Sequence, residues 1–149
     1  MAFFSEHRSG FIRLLSVLAV SLVLTLAVAD RATAEISAPP ETVADSFAAL
    51  LDAGETAAAW QAFTPMARVI KNEEQWQRLH KTLRSAYGPV EQRTLRGITE
   101  QNRYPMLPDG RYALVQFDTT FLHKQNAIET AILTLGPDGN WQVHDYVIN

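Results

Sequence analysis

The chain contains no cysteine, which excludes a disulfide-stabilised scaffold and thiol chemistry. It also lacks an HExxH pattern, a Gly-rich phosphate loop and a Ser/His/Asp arrangement at a strained elbow. His80, His123 and His144 do not have the spacing of metal ligands. We therefore predict no catalytic residue from a known motif, no metal site and no cofactor.

Positive charge is also scarce, with 13 Lys and Arg against 16 Asp and Glu. The first 34 residues hold three of these basic residues and two of the acidic ones, so 10 basic and 14 acidic residues remain, a net charge of −4. Proteins that bind nucleic acid or anionic membranes usually carry a basic surface. We expect neither partner here.

Long apolar runs are absent as well. The longest stretch, residues 14–29, is interrupted by Ser16, Ser21 and Thr25 and is shorter than the about 20 residues that span a bilayer. Two arginines precede it and Ala32-Thr33-Ala34 follows, which is the order of a secretory signal cleaved after Ala34. A retained membrane anchor is the alternative.

No cysteine follows the apolar stretch and no arginine pair precedes it, so we expect general secretory export to the periplasm without a lipid anchor. After cleavage we expect no stable membrane insertion. The predicted organisation is a signal peptide at 1–34, a linker at 35–41 that contains Pro39-Pro40, and a single domain at 42–149. About 115 residues are enough for one hydrophobic core.

Helical periodicity dominates the sequence before residue 90. It predicts a helix closed by Gly54, a second helix from Glu55, a short piece at 66–70, and a longer helix that begins at Asn72 and ends at Gly88. The apolar positions on these faces are Val43, Phe47, Leu50, Leu51, Trp60, Phe63, Trp76, Leu79, Leu83 and Tyr87.

From Val90 the period changes to two, as in strands. We predict strands at 90–98, 111–121, 126–135 and 140–148, with a tight turn at 136–139 and an exposed loop at 99–110. Helices followed by a four-stranded meander indicate an α+β fold in which N-terminal helices pack on a curved antiparallel sheet.

The faces of the sheet depend on the register of its hairpins. We assume that Leu135 pairs with Asn140 and that Phe121 pairs with Asn126. The predicted core face then carries Val115, Phe117, Phe121, Ile128, Ile132, Trp141, Val143 and Val147, with Thr130 and Asp145 opposite one another. The predicted outer face carries Tyr112, Gln116, Asp118, Glu129, His144 and Tyr146.

A spaced set of residues across the whole predicted domain resembles a bacterial exported family known as domain of unknown function 4019. The residues that carry the resemblance are Asp52-Ala53-Gly54, Trp60, Trp76, Arg84, Gly88, Arg93, the run 107–112, the run 116–121, Lys124, Glu129-Thr130 and the run 138–143. The resemblance implies a cystatin-like cone, as in the ketosteroid isomerase and nuclear transport factor superfamily, and it implies no activity. This chain has Tyr104-Pro105-Met106 where the family usually has a Gly-containing loop, and His144-Asp145 where it usually has small residues.

Asp145 is the first candidate for a functional residue. On an apolar concave face, with Phe117, Thr130 and Trp141 as the other pocket candidates, burial would raise the pKa of this carboxyl and suit it to act as a base or acid. Alternatively, Asp145 is solvated or hydrogen-bonds Thr130.

Arg93, Asp118 and Glu129 form the second candidate, a charged cluster on the predicted outer face. Two opposed carboxylates repel each other unless a cation joins them. The cluster is either a recognition patch or weak cation site, or an exposed ion-pair group that fixes strand pairing.

These features favour a periplasmic, non-enzymatic binding or interaction domain that uses the cone pocket or the 99–110 loop, with an unknown small molecule or envelope protein as partner. One alternative is a small isomerase- or hydrolase-like enzyme that uses Asp145. Another is a homodimer formed through the outer sheet face.

Overall fold

The computed structural model describes residues 37–149 of the chain. The predicted signal peptide and the first two linker residues lie outside the described residues. Within the described part, no helix is long and apolar enough to cross a membrane.

Four helices precede the sheet. They are α1 (Pro40–Asp52), α2 (Thr56–Gln61), α3 (Pro65–Ile70) and α4 (Glu73–Tyr87). The predicted start of α4 is confirmed, because the Asn72 side chain accepts a hydrogen bond from the backbone N–H of Gln75 at 2.9 Å. Gly54 and Gly88 have φ angles of 76° and 75°, which glycine adopts without the steric cost that other residues bear.

Four strands form one antiparallel sheet in the order β1-β2-β3-β4. They are β1 (Val90–Gln101), β2 (Tyr112–Phe121), β3 (Lys124–Leu135) and β4 (Trp141–Ile148). The predicted α+β class and the four-stranded meander are confirmed. β1 continues three residues beyond its predicted end, so the loop that follows is shorter than expected.

The predicted registers are wrong by one residue in both C-terminal hairpins. Phe117 pairs with Glu129, where the predicted register sets it opposite Thr130, and Leu135 pairs with Trp141 rather than Asn140. Next to the β2–β3 turn, beyond an irregularity at Thr120, Phe121 pairs with Lys124, two residues from the predicted Asn126. Asn140 belongs to the turn, where its backbone N–H is bonded to the Asp138 side chain. Because side chains alternate between faces, a one-residue shift inverts β3 relative to β2.

The face that packs on the helices, called the inner face here, therefore contains different β3 residues from those predicted. Ala127, Glu129, Ala131 and Leu133 face inward, whereas Ile128, Thr130 and Ile132 lie on the opposite, outer face. On β2 the predicted core residues, including Phe117, do face inward.

A β-bulge causes a second correction, in β4. Ile132 pairs with Asp145 and Leu133 pairs with Val143, so His144 is an extra residue in the ladder. The alternation shifts at this point, and Tyr146 rather than Val147 enters the core.

Aromatic side chains fill the space between the helices and the inner face. Phe47 lies 5.1 Å from Phe63 and 5.3 Å from Tyr146 between ring centroids, and Phe63 lies 5.0 Å from Trp76. All four rings are buried, together with Trp60. The region predicted to be a concave pocket is thus occupied by packed rings. On α4, His80 is buried and Leu79 is exposed, the reverse of the predicted apolar face.

Candidate functional site

Glu129 is the centre of a polar cluster on the inner face, where its side chain is completely buried. Its Oε1 accepts hydrogen bonds from the Tyr146 hydroxyl at 2.5 Å and from Arg84 Nη2 at 3.0 Å. Its Oε2 accepts from Arg93 Nε at 2.5 Å and from the Thr119 hydroxyl at 2.8 Å. Both carboxylate oxygens are therefore satisfied within the protein.

Asp52, the last residue of α1, adds a second carboxylate to the cluster. Arg93 donates to it through two nitrogens, at 2.7 and 3.1 Å, and Arg84 Nη1 lies 2.7 Å from Asp52 Oδ1 without hydrogen-bond geometry. Two arginines thus face two carboxylates, and their charges balance. The members come from α1, α4 and all four strands, so the cluster joins the helical layer to the sheet.

The electrostatics keep the cluster ionised. Burial acts to raise the pKa of Glu129, but hydrogen bonds from Arg93 and Tyr146 and the charges of both arginines outweigh it and hold the pKa below its ordinary value. Burial opposes the charge of Arg93, yet its bonds to Asp52 and Glu129 raise its pKa. Burial and the charge of Glu129 raise the pKa of Tyr146 well above its ordinary value, so its hydroxyl remains a neutral donor.

This arrangement is more typical of a structural ion-pair cluster than of a catalytic site. A general base needs a free lone pair directed at substrate, and Glu129 already accepts bonds at both oxygens. Among the described residues, no three His, Asp or Glu side chains are grouped so that they could hold a metal ion. The hydrogen bonds and ion pairs of the cluster therefore fix α1 and α4 against the sheet.

Two of the three residues predicted for the charged cluster meet, and the third does not. Arg93 and Glu129 are bonded, but in the interior rather than on the outer face. Asp118 lies on the outer face, where it pairs with Arg96 at 2.9 Å. The one-residue register shift explains the difference, because it places Glu129 opposite Phe117 instead of Asp118.

Sequence reasoning about charge missed Asp52, Arg84, Thr119 and Tyr146. One signal for them was present, since the first three lie within the set of residues that carries the family resemblance. Their chain separations, from 10 residues between Thr119 and Glu129 to 62 between Arg84 and Tyr146, gave no periodic pattern.

Asp145 does not lie in a concave pocket. Its carboxylate pairs with Lys71 at 2.8 Å, is about one-third exposed, and also accepts the backbone N–H of Tyr146. Thr130, predicted to lie opposite, instead pairs with Val147, and its hydroxyl accepts from the Gln116 side chain at 3.3 Å. The pocket candidates Phe117, Thr130, Trp141 and Asp145 are therefore not brought together.

His144 and Asp145 instead hold the α2–α3 junction against the edge of β4. Thr64 donates its backbone N–H to the Val143 carbonyl at 2.9 Å, and its hydroxyl shares a hydrogen bond with His144 Nδ1 at 3.2 Å. Burial lowers the pKa of His144; the charge of Asp145 acts to raise it and the charge of Lys71 acts to lower it, both with smaller effects. These contacts cover part of an edge that would otherwise be free.

His80 is a buried histidine at the boundary of the aromatic core. Its ring lies 4.3 Å from Trp76, and its Nδ1 has no hydrogen-bond partner within the described structure. Burial, followed by the charge of Arg84, lowers its pKa from 6.5 to about 4. At neutral pH His80 is uncharged.

An apolar groove lies between α1 and the beginning of β4, and we call it the α1–β4 groove. Its volume is about 280 Å³. Its lining residues are Ala38, Thr42, Val43, Ser46, Phe47, Leu50, Ala62, Trp141, Gln142 and Val143. Val43, Leu50 and Trp141 are only partly buried, so they leave apolar surface available.

The loop between β1 and β2, residues 102–111, is held in a defined conformation. The Tyr112 hydroxyl donates to the Pro108 carbonyl at 2.6 Å, and the Leu107 N–H donates to the Tyr104 carbonyl at 3.1 Å. The second bond closes a tight turn whose tip is Met106. Met106 is fully exposed and has a φ of 65°, a conformation in which glycine is favoured.

These observations define the class of protein: an α+β domain with a packed interior, a buried polar cluster and an external apolar groove. The chain belongs to the family described as protein of unknown function (DUF4019), whose model matches residues 43–146. The predicted family is thereby confirmed, whereas the implied link to the cone superfamily stays a prediction. No curated protein and no solved structure matched the chain.

Proposed function

We propose that the chain is an exported, non-enzymatic interaction domain that binds an envelope protein. The binding surface consists of the α1–β4 groove and the tip of the 102–111 loop. One observation carries the proposal: both features lie at the same end of the sheet. Arg111, which ends the loop, accepts the Leu135 N–H at 2.9 Å, and its guanidinium lies 5.8 Å from the centre of the Trp141 ring in the groove.

The size and lining of the groove favour an apolar side chain of a partner protein over a small-molecule ligand. Its volume of about 280 Å³ is just below the about 300–1,000 Å³ of usual small-molecule sites. A partly buried tryptophan on an apolar surface is typical of the residues that dominate protein–protein binding energies. Trp141 is in this position.

The conformation of Met106 supports the same surface. A non-glycine residue at positive φ costs the fold about 1 kcal/mol, and such strain is concentrated at binding and catalytic sites. A methionine side chain adapts its shape to irregular apolar surfaces, which suits a contact with another protein. In the free domain the Met106 side chain is fully exposed, so no burial of its apolar surface offsets the cost of its backbone conformation.

The two carboxylates that were candidates for a functional role, Glu129 and Asp145, are already paired with cations, which disfavours the enzyme alternative. Glu129 accepts from four side chains and Asp145 pairs with Lys71 at the sheet edge. A binding role requires no free acid or base, so it is compatible with this arrangement.

The groove is testable with the apolar fluorophore 8-anilinonaphthalene-1-sulfonate. We expect Val43→Asp to reduce its fluorescence enhancement several-fold, because a carboxylate in the groove disfavours apolar occupants. Val69→Asp is the matched control, since Val69 is a highly exposed valine on α3 that does not line the groove. Equal enhancement in the two variants would contradict the proposed groove.

The partner is testable with a photo-cross-linking amino acid at position 43, 106 or 69 during growth. We expect the same single protein adduct from positions 43 and 106, none from position 69, and loss of the position-106 adduct when Val43→Asp is added. Adducts of unrelated size at all three positions would refute the proposal.

The proposal that the chain is exported rests on the secretory-signal pattern of residues 1–34, which lie outside the described structure. We expect mass spectrometry of the periplasmic fraction to give a chain that begins at Glu35. A membrane-bound chain that retains Met1 would contradict this expectation and favour the anchor alternative.

A further inference from the structure

Among residues 37–149, β1 pairs with β2 alone, so one edge of this long strand has no strand partner there. β1 has 12 residues, and residues 94–100 are all exposed. Leu95 and Ile98 lie on the inner face beyond the cover of the helices and are 49% and 38% exposed. Such edges pair readily with another strand unless something blocks them.

The hydrogen-bonding direction of β1 follows from its neighbours. The Leu135 N–H bonds to the Arg111 carbonyl, so odd-numbered residues of β2 bond to β3 and even-numbered ones bond to β1. The β1 partners of the odd-numbered residues therefore direct their backbone N–H and C=O outward. Within residues 93–100 these partners are Arg93, Leu95, Ile98 and Glu100.

We propose that β1 pairs antiparallel with β1 of a second copy of this chain, with the two-fold axis at Gly97. Arg96 is the extra residue of a bulge, so the ladder passes from Leu95 directly to Gly97. With Gly97 opposite its copy, matched residue types fall opposite one another on both sides of the axis. The pairs are Ile98 with Leu95, Thr99 with Thr94, Glu100 with Arg93, and Gln101 with Gln92.

This register is self-complementary in chemistry as well as in geometry. Apolar and Thr–Thr pairs stabilise antiparallel strands. The Glu100 and Arg93 side chains are already paired within each copy, with Arg111 and with Asp52 and Glu129, so their opposition avoids like charges but adds no new ion pair. A centre moved by one residue to Ile98 sets Glu100 against Leu95, and a centre at Leu95 sets Ile98 against Arg93. The axis at Gly97 avoids both mismatches, and it leaves no two like charges directly opposite.

The dimer would also cover exposed apolar surface. Leu95 and Ile98 of both copies would form one four-residue patch on the inner face. The two Arg96 side chains would approach on the outer face, each already paired with Asp118 at 2.9 Å. This pairing limits their mutual repulsion.

Cysteine cross-linking tests the register, because the natural chain contains no cysteine. Gly97→Cys places a thiol at the axis, and a side chain there meets no atom within 4 Å in the free domain. We expect mild oxidation to convert most Gly97→Cys protein to a covalent dimer. Thr99→Cys is the control: it should form no disulfide-linked dimer alone, but should cross-link to Thr94→Cys when the two proteins are mixed.

Ile98→Lys provides an independent measurement by sedimentation velocity. Because the substitution acts twice across the axis, we expect the dissociation constant to rise about tenfold or more. Leu79→Lys, which changes an exposed leucine on α4, should leave it unchanged. Equal cross-linking of Gly97→Cys and Thr99→Cys, or a wild-type chain that is monomeric in concentrated solution, would overturn the proposal.

Discussion

Mild acid is expected to destabilise the domain through His80. In the unfolded chain a histidine has a pKa of 6.5, whereas burial lowers the pKa of His80 to about 4 in the fold. Between these values the unfolded chain binds a proton that the folded chain does not. The stability that His80 contributes is thus fully present above pH 6.5 and is lost as the pH falls towards 4.

The size of the effect follows from the two pKa values. On going from pH 7 to pH 4.5, the free energy of unfolding should fall by about 2.5 kcal/mol from this group. The charged groups that act on His80 are Arg84, Asp145 and Lys71, of which only Asp145 favours the protonated form. Burial is the largest cause, so added salt should change the effect little.

His80→Phe tests this reasoning in urea unfolding monitored by far-UV circular dichroism at several pH values. Phe keeps an aromatic ring beside Trp76 and removes both the titration and the unpartnered Nδ1. We expect its stability to exceed that of the wild type by an increasing margin as the pH falls. The free energy of unfolding of His80→Gln should vary with pH in the same way as that of His80→Phe, although its absolute value differs. If the free energy of unfolding of the wild type varied with pH in parallel with that of both variants, the conclusion that His80 is buried and neutral would be refuted.

Three further substitutions have clear expectations. Glu129→Gln should cost about 3–5 kcal/mol in urea unfolding, because it leaves two buried arginines without one counter-charge; Asp118→Asn, its exposed control, should change stability by less than about 0.5 kcal/mol. Met106→Gly should raise the melting temperature by a few degrees, since glycine relieves about 1 kcal/mol of strain at φ 65°. An unchanged or lower melting temperature would contradict the conclusion that the turn at Met106 is strained. Asp145→Asn, which would stabilise a domain with a buried pocket carboxylate, should instead cost up to about 1 kcal/mol at neutral pH through loss of the Lys71 pair; a gain in stability would reverse that conclusion.

Local signals predicted the elements well because they act over a few residues. Asn72 and Gln75 placed the start of α4, and Gly88 placed its end. The change from a helical to an alternating period at Val90 marked the start of the sheet. Each of these signals depends on backbone geometry within one turn, so no tertiary contact was needed to interpret it.

The candidate site was harder to predict because it depends on register. In β3 the bulky residues Ile128 and Ile132 suggested the core face, but Ala127 and Ala131 are the ones that face inward. Large rings from the helices occupy that space, so small strand residues pack better against them. When the positions of these rings are unknown, hydrophobicity alone assigns alternate residues of β3 to the wrong faces of the sheet. Glu129 is then placed on the outer face.

The contacts of Thr64 and Lys71 with β4 have a consequence for assembly. They obstruct one edge of the sheet, whereas the β1 edge is free of backbone partners outside β2 in the part of the chain that the structure describes. A sheet with one available edge can join one other sheet through a two-fold contact, which uses the available edge of each. In such a pair the two β4 edges would lie at the ends of the combined sheet, where the α2–α3 junction covers the strand at Val143 and hinders the addition of another strand. The partly covered β4 edge would therefore favour a closed pair over open-ended fibres.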